Sequence, residues 1–394
     1  MAMVFEPTHT DRPQRVLFNG TTLNVGGALQ TACMLILHAI QNSQTDRSIA
    51  WRFAISSKLK AELDRFGAQL PPETLILEQS PARNRQSRNT LREFADDFDA
   101  NLVFTLAGPA YVKFNSPHLL GCNDPWISHF GWTAFRTQFP KEWLGRLGMV
   151  LYKSWWIRQA TSWTTQAETA KLGLHRRLRI PLSTCHVVTN TCGDHYRQNV
   201  PAKPFPVTGK KVRILCFSAP YWHKNLQIIP AVARELTKRL PNTDFEFVLT
   251  LPSGNRIWQT ILQRAEKLSV QDRIVNVGKV DIADGPALYQ SCDISFLPTL
   301  LETFSATYPE SMAMGLPIVT TDLDFAHDVC QDAALYYSPR DAAQAAGQIA
   351  TLLTDRELWE KLTSRGRQVV EQLPTIEQRY QMFIELIRNV VGSA

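Results

Sequence analysis

Apolar residues in this chain fall into short runs separated by stretches with helical spacing. In the first half, residues 16–19 read as a strand, 20–26 as a loop and 27–40 as a helix. Residues 53–56, 75–77, 102–106 and 118–122 read as further strands, and 187–189 closes the set. Helices are expected between most of them, notably over 87–98. Such alternation predicts a parallel, doubly wound sheet. The pattern breaks over 196–211, where Pro201, Pro204 and Pro206 alternate with Lys203, Gly209, Lys210 and Lys211 in a linker-like stretch. A second alternating set follows, with strands at 212–217, 245–250, 274–277, 293–297 and 317–321. Helices near 342–353, 356–370 and 375–391 end the chain.

The expected fold class is therefore α/β, with two doubly wound Rossmann-like domains. The boundaries are 1–205 and 206–374, with a last helical segment at 375–394. Two such sheets turn their carboxyl edges toward one interdomain cleft, and ligands bind at such edges.

With 394 residues and 44% hydrophobic content, the chain is long enough for two cores of ordinary size. A net charge of +6 is too small and dispersed to argue for nucleic acid, but it suits an anionic ligand or an anionic membrane surface. No early segment reads as a signal peptide and no apolar run is long enough to span a bilayer. Seven scattered cysteines, an odd number without a C-x-x-C, suit a reducing cytoplasm. Cys185, His186, Cys192 and His195 lie close in sequence, but strand-like Val187 and Val188 run between them, so no metal is expected there.

Candidate chemistry concentrates in residues 296–321, FLPTLLETFSATYPESMAMGLPIVTT. Glu302 and Glu310 flank a strand-to-helix turn. Thr307 and Glu310 have capping-box spacing, and Pro309 suits a first helical turn. A short helix is expected to about Met314, with a stop at Gly315. Free N–H groups at its start can bind a phosphate, while one carboxylate reaches a sugar hydroxyl and the other grips a second part of the same ligand. Glu310 acting only as a helix cap is the simpler alternative. After the strand 212–217 comes Ser218-Ala219-Pro220-Tyr221-Trp222-His223-Lys224-Asn225, a loop that can carry a cation to a diphosphate. An exposed Lys near a helix start is the plain alternative. Gly26 and Gly27 let backbone approach a ligand, or simply make a turn.

The frame Pro298, Glu302, Phe304, Glu310 and Met312-Ala313-Met314-Gly315-Leu316-Pro317 resembles the donor site of retaining nucleotide-sugar glycosyltransferases of family 4. That family carries P-(S)-x-x-E-x-F-G-L-P-x-x-E-A-M-A-x-G-x-P-V. Ser305, Ala306 and Thr307 replace its usual Gly, Leu and Pro, and a side chain at Ser305 narrows the space beside the donor sugar. The resemblance implies the two-Rossmann-domain GT-B fold, with the acceptor on the first domain and the last helix crossing back to it. It implies a retaining hexosyltransferase that moves a sugar from a nucleotide diphosphate to a glycan or lipid-linked acceptor in cell-surface polysaccharide synthesis. No metal and no cofactor are implied.

Residue by residue, the resemblance gives Glu302 the donor-sugar hydroxyls and Lys224 the leaving diphosphate, with N–H groups near Phe304, Ser305 and Ala306. It gives Glu310 the ribose, and the backbone of the loop at Gly278 and Val280 the base. Gly26 and Gly27 face the diphosphate and acceptor, and His223 shares the phosphate load. The family's Arg ahead of Lys224 is missing, since Ala219 stands there. Its first-domain His is not carried over to His118, because the register puts Asn123 or Asp124 at that strand's edge.

Two further features stand apart. Asp322-Leu323-Asp324 has D-x-D metal spacing but reads better as a solvated or capping loop. Over 132–158, Trp132, Arg136, Lys141, Trp143, Arg146, Tyr152, Lys153, Trp155, Trp156 and Arg158 interleave. Such a segment suits a bilayer interface, or it buries its indoles in the core and leaves its cations in water. The expected location is cytoplasmic, or peripheral at the inner face of a membrane. A sugar-nucleotide epimerase and a non-catalytic carbohydrate-binding relative are the rival functions.

Overall fold

In the computed structural model, the described residues are 13–392, apart from 25, 44, 137–141, 198–202 and 208. The first sheet has seven parallel strands: β1 (Gln14–Gly20), β2 (Ile49–Ser56), β3 (Leu75–Leu77), β4 (Leu102–Thr105), β5 (His118–Gly121), β6 (Ser162–Thr165) and β7 (Cys185–Val187). Their order is β3-β2-β1-β4-β5-β6-β7. The second has six: β8 (Val212–Cys216), β9 (Phe245–Leu249), β10 (Ile274–Asn276), β11 (Ile294–Leu297), β12 (Ile318–Thr321) and β13 (Ala334–Tyr337), ordered β10-β9-β8-β11-β12-β13. In both sheets the strand order reverses beside the first strand, between β1 and β4 and between β8 and β11. A crevice for ligands opens at such a point.

Central strands are apolar because helices cover both faces. Val16, Phe18, Leu102 and Phe104 pack into one core of the first sheet, and Ile214, Phe247, Phe296 and Trp359 into a core of the second. Two strands lie outside the sequence expectations. β6 reads Ser-Trp-Thr-Thr and β13 reads Ala-Leu-Tyr-Tyr. Each is short, and three of the four residues of β6 carry hydroxyl groups. β7 also starts two residues before the predicted run, at Cys185.

The final helix, Ile376–Gly392, buries Tyr380, Phe383, Ile384, Leu386, Ile387 and Val390 in the core of the first sheet. Phe383 stands 5.4 Å from Phe104, ring to ring. The chain thus passes between domains twice, and Arg197 ties the two passages together. Its guanidinium donates to the Thr191 hydroxyl at 2.8 Å, to Leu373 O at 3.1 Å and to Pro374 O at 2.8 Å. A second tie comes from Asp328, whose carboxylate accepts from Thr169 N at 3.0 Å and from its hydroxyl at 2.8 Å. Thr169 lies in the first turn of the helix Glu168–Leu178, so an acid of the second domain stabilises a helix start of the first. All seven cysteines are buried free thiols, and burial raises the pKa of each.

Candidate functional site

Lys224 and Glu302 meet at the crevice of the second sheet. Lys224 ends the loop after β8, and Glu302 lies in the loop after β11, the strand hydrogen-bonded to β8. Leu300 N donates to His223 O at 2.7 Å and staples the loops together. Asn225 supports the turn in a left-handed conformation, φ 54°, which Asn tolerates better than most residues. The Lys224 ammonium then donates to Glu302 Oε2. Burial pushes the Glu302 carboxyl up, but the Lys224 charge and hydrogen bond outweigh it and hold the group below its ordinary 4.5. A half-buried cation and anion are thus fixed side by side at the sheet edge.

The next helix is Thr307–Ala313, and it lacks the expected capping box. Ala306 occupies the cap position, and no side chain bonds there. The chain turns a step earlier than the Thr307 spacing suggests, because Tyr308 N takes Ser305 O at 3.1 Å and Glu310 N takes Ala306 O at 3.0 Å. Thr307 is therefore already helical, and the Glu310 side chain is released from capping. Its Oε2 accepts instead from the Tyr289 hydroxyl at 2.9 Å. Burial raises Glu310 from 4.5 to about 7, against the lowering effect of Tyr289. Among the described residues, the N–H groups of Phe304, Ser305, Ala306 and Thr307 have no backbone or side-chain acceptor.

Other predicted residues occupy the rims. His223 is half-buried, with its ring stacked on Tyr221 at 5.4 Å and edge-on to Trp126 at 5.8 Å. Burial first, then Lys224, lower its pKa to about 4, so it meets a ligand as a neutral imidazole. After β10, the Asn276 side chain bonds both Leu251 N, at 2.8 Å, and Leu251 O, at 2.9 Å. That grip leaves Gly278, with φ 84°, at an open turn with Val280 just beyond. Gly26 has φ 79° and precedes the uncapped helix Gly27–Asn42 at the edge of the first sheet. A Cβ at either Gly26 or Gly27 would meet nothing within 4 Å, so both border open space.

From the first domain, the residues after β5 close over this site. Asp124 begins the helix Pro125–Ser128 by accepting from Trp126 N at 3.0 Å, and its other oxygen pairs with Lys153 at 2.6 Å. The Asp-Pro pair is itself a sequence signal for this helix start. Asn123 O accepts from the Thr303 hydroxyl at 3.4 Å, beside Glu302. Trp126, Phe135, Leu300 and Leu301 form a small core across the domain boundary. His118 plays no part at this edge. It is buried at the start of β5, where its Nε2 meets the Thr105 hydroxyl at 2.8 Å.

The segment 132–158 departs from the alternative in which its indoles are buried and its cations solvated, and Lys141 lies outside the described residues. In the helix Trp143–Ile157 the cations turn inward. Arg146 stacks over Trp126 at 4.8 Å and Lys153 pairs with Asp124, whereas Arg158, just past the helix, stays exposed and donates to Leu178 O at 3.1 Å. The apolar side faces water: Leu144 is 84% exposed, Leu151 63% and Trp155 54%. In the D-x-D sequence, Asp322 pairs with His327 at 2.6 Å and Asp324 starts a helix. Among the described residues, no group of three or more His, Cys, Asp or Glu side chains is placed to hold a metal ion. Nor is any helix among them long and apolar enough to cross a membrane.

Residues 211–355 match the family described as Glycosyl transferases group 1. The chain is similar to N-acetyl-alpha-D-glucosaminyl L-malate synthase of Bacillus anthracis, 28% identical over 154 residues. That likeness spans 37% of this chain and only 40% of the relative. Across whole folds, a glycosyltransferase from Rickettsia africae superposes with a TM-score of 0.71 at 15% identity, covering 97% of this chain and 100% of that one. HepE of Anabaena, solved with UDP-glucose, does so with 0.71 at 13% identity, covering 95% and 99%. The second domain thus carries the match to the Glycosyl transferases group 1 family, and the whole chain has the two-domain GT-B fold.

Proposed function

We propose that the protein is a retaining, metal-independent glycosyltransferase that moves a hexose from a nucleotide diphosphate to a glycan or lipid-linked acceptor. The observation that carries this reading is the Lys224–Glu302 pair, fixed at the crevice of a domain of that family. In the proposed reaction the acceptor hydroxyl bonds to the anomeric carbon on the face from which the diphosphate departs, and its proton passes to the departing phosphate oxygen. Lys224 and the N–H groups of Phe304, Ser305 and Ala306 stabilise the charge on that phosphate. Glu302 takes sugar hydroxyls, Glu310 the ribose, and the backbone near Gly278 and Val280 the base. The UDP-glucose complex of HepE supports a nucleotide sugar as donor. An epimerase is disfavoured, because the frame from Glu302 to Pro317 lies within the stretch that matches a glycosyltransferase family.

A thermal-shift screen of nucleotide sugars identifies the donor, since a ligand of the native state alone raises stability. Calorimetric titration of that nucleotide then tests Glu310. Glu310→Ala is expected to weaken binding by about 1.5–3 kcal/mol. Only the ionised carboxyl accepts from both ribose hydroxyls, and its pKa is raised to about 7. Wild-type affinity should therefore fall as pH drops through about 7, while Glu310→Gln stays flat. Equal affinity in a folded Glu310→Ala would reduce the residue to a support for Tyr289.

The exposed stripe Leu144, Leu147, Leu151 and Trp155 supports a peripheral position on a membrane carrying the acceptor. Because Arg146 and Lys153 are engaged inside, apolar contact rather than charge should dominate. Co-sedimentation with vesicles is expected to depend weakly on salt and to be lost in Leu151→Glu with Trp155→Ala. Full binding by that double variant would refute the docking face.

A further inference from the structure

A second feature of the interdomain cleft belongs to none of the roles above. A cavity of about 690 Å³ lies between the domains, lined by Trp132, Arg136, Trp143, Pro339 and Arg340. Neither Lys224 nor Glu302 lines it. The first-domain wall is built around Phe135, which sits in the core with Leu300 and Leu301 and holds Trp132 at 5.6 Å and Trp143 at 5.1 Å, ring to ring. With Phe135 pinned inward, Trp132 and Arg136 project outward, and Trp132 stays 66% exposed. The second-domain wall follows β13. There Asp341 caps the next helix through Gln344 N at 2.8 Å, and Arg340 is held in a left-handed conformation, φ 69°. A non-glycine residue in that region carries strain that surrounding structure must maintain.

Two guanidinium groups from opposite domains thus share one cavity with two indoles. Burial first, then the charge of Arg136, lowers the pKa of Arg340, so the two cations feel one another. An anion between them turns that repulsion into two forked, charge-assisted contacts. The indoles offer flat apolar faces to a sugar ring or an isoprenoid chain. Position narrows the choice. β13 is two strands from β11 along the same edge, which at ordinary spacing is about 10 Å from the transfer point. That is too far for the sugar being moved and suits a group one sugar deeper in the acceptor.

We propose that this cavity is an acceptor subsite for an anionic group, a phosphate or a carboxylate, carried next to the residue that receives the sugar. The proposal rests on the glycosyltransferase reading for its word acceptor, but its binding test does not. Two soluble probes separate the sources of the anion: farnesyl phosphate for a lipid-linked phosphate and methyl glucuronide for an acidic sugar. Each is titrated calorimetrically into the full chain and into Arg340→Ala, Arg136→Ala and Lys224→Ala. At least one probe should bind the wild type. Its affinity should fall at least about tenfold in each arginine variant and persist in Lys224→Ala. Binding of the phosphate alone assigns a lipid-linked acceptor, of the glucuronide alone an acidic glycan, and of both an anion subsite proper. Should Arg340→Ala fail to fold, Arg136→Ala on its exposed turn decides alone. The proposal falls if neither probe binds, if the arginine variants bind as well as the wild type, or if affinity is lost only in Lys224→Ala. A nucleotide-sugar titration of the wild type, run in parallel, judges the donor reading separately.

Discussion

Lys224→Ala is expected to reduce turnover of the nucleotide sugar by about 10²–10³-fold, the usual cost of removing a preorganised group from developing charge. Lys224 is the cation at the crevice between β8 and β11, and it is already aimed by Glu302 and by the staple from Leu300 to His223. The loss should fall on the chemical step, so single-turnover rates must drop while nucleotide affinity changes less. Glu302→Gln separates the partners. It keeps the shape but frees the ammonium, and should impair the sugar more than the free nucleotide. Excess chelator in the same assay should leave the wild-type rate unchanged. A Lys224→Ala enzyme within a few-fold of the wild type would remove this residue from the reaction and leave a sugar-binding relative as the better description.

Removing the last helix should unfold the first domain. Six side chains from Tyr380 to Val390 are buried in the first core, against β4 and the helix Gly27–Asn42. At about 1.5–3 kcal/mol each, even after discounting a compact unfolded state, they contribute on the order of 10 kcal/mol. That is comparable with the entire stability of an ordinary domain, about 5–15 kcal/mol. A chain ending at Thr375 is therefore expected to lose helical circular dichroism and to be digested rapidly over residues 13–197, with residues 211–355 more resistant. Phe383→Ala, which faces Phe104, should cost about 3–5 kcal/mol alone. A truncated chain as protected as the full one would mean that the first core closes without the helix.

Much of the architecture was legible because each parallel strand is a short apolar run between helices. The misses share one cause. In β6, Thr164 and Thr165 are buried as neighbours of β5 and β7, a setting that composition does not reveal. At the site, Lys224 and Glu302 stood out as separate motifs, but their contact spans 78 residues and depends on two strands becoming neighbours. Local spacing gave Thr307 and Glu310 a capping box, and Tyr289, from another helix, claimed the carboxylate instead. The cations of the helix Trp143–Ile157 were readable as charges, not as the inward-facing side. That side was decided by Asp124 and Trp126, which lie well upstream.

The burial of all seven thiols has a practical consequence. A thiol must reach solvent and ionise to react, and here both steps are suppressed in the native state. A chromogenic disulfide reagent should thus see almost no sulfur until the chain unfolds, and its signal becomes a clock for global opening. The same silence makes the wild type a clean background for labelling. One cysteine introduced on each domain could carry a pair of fluorophores without first stripping out the natural seven, and the distance between them would report directly whether the width of the cleft changes when a nucleotide sugar is added.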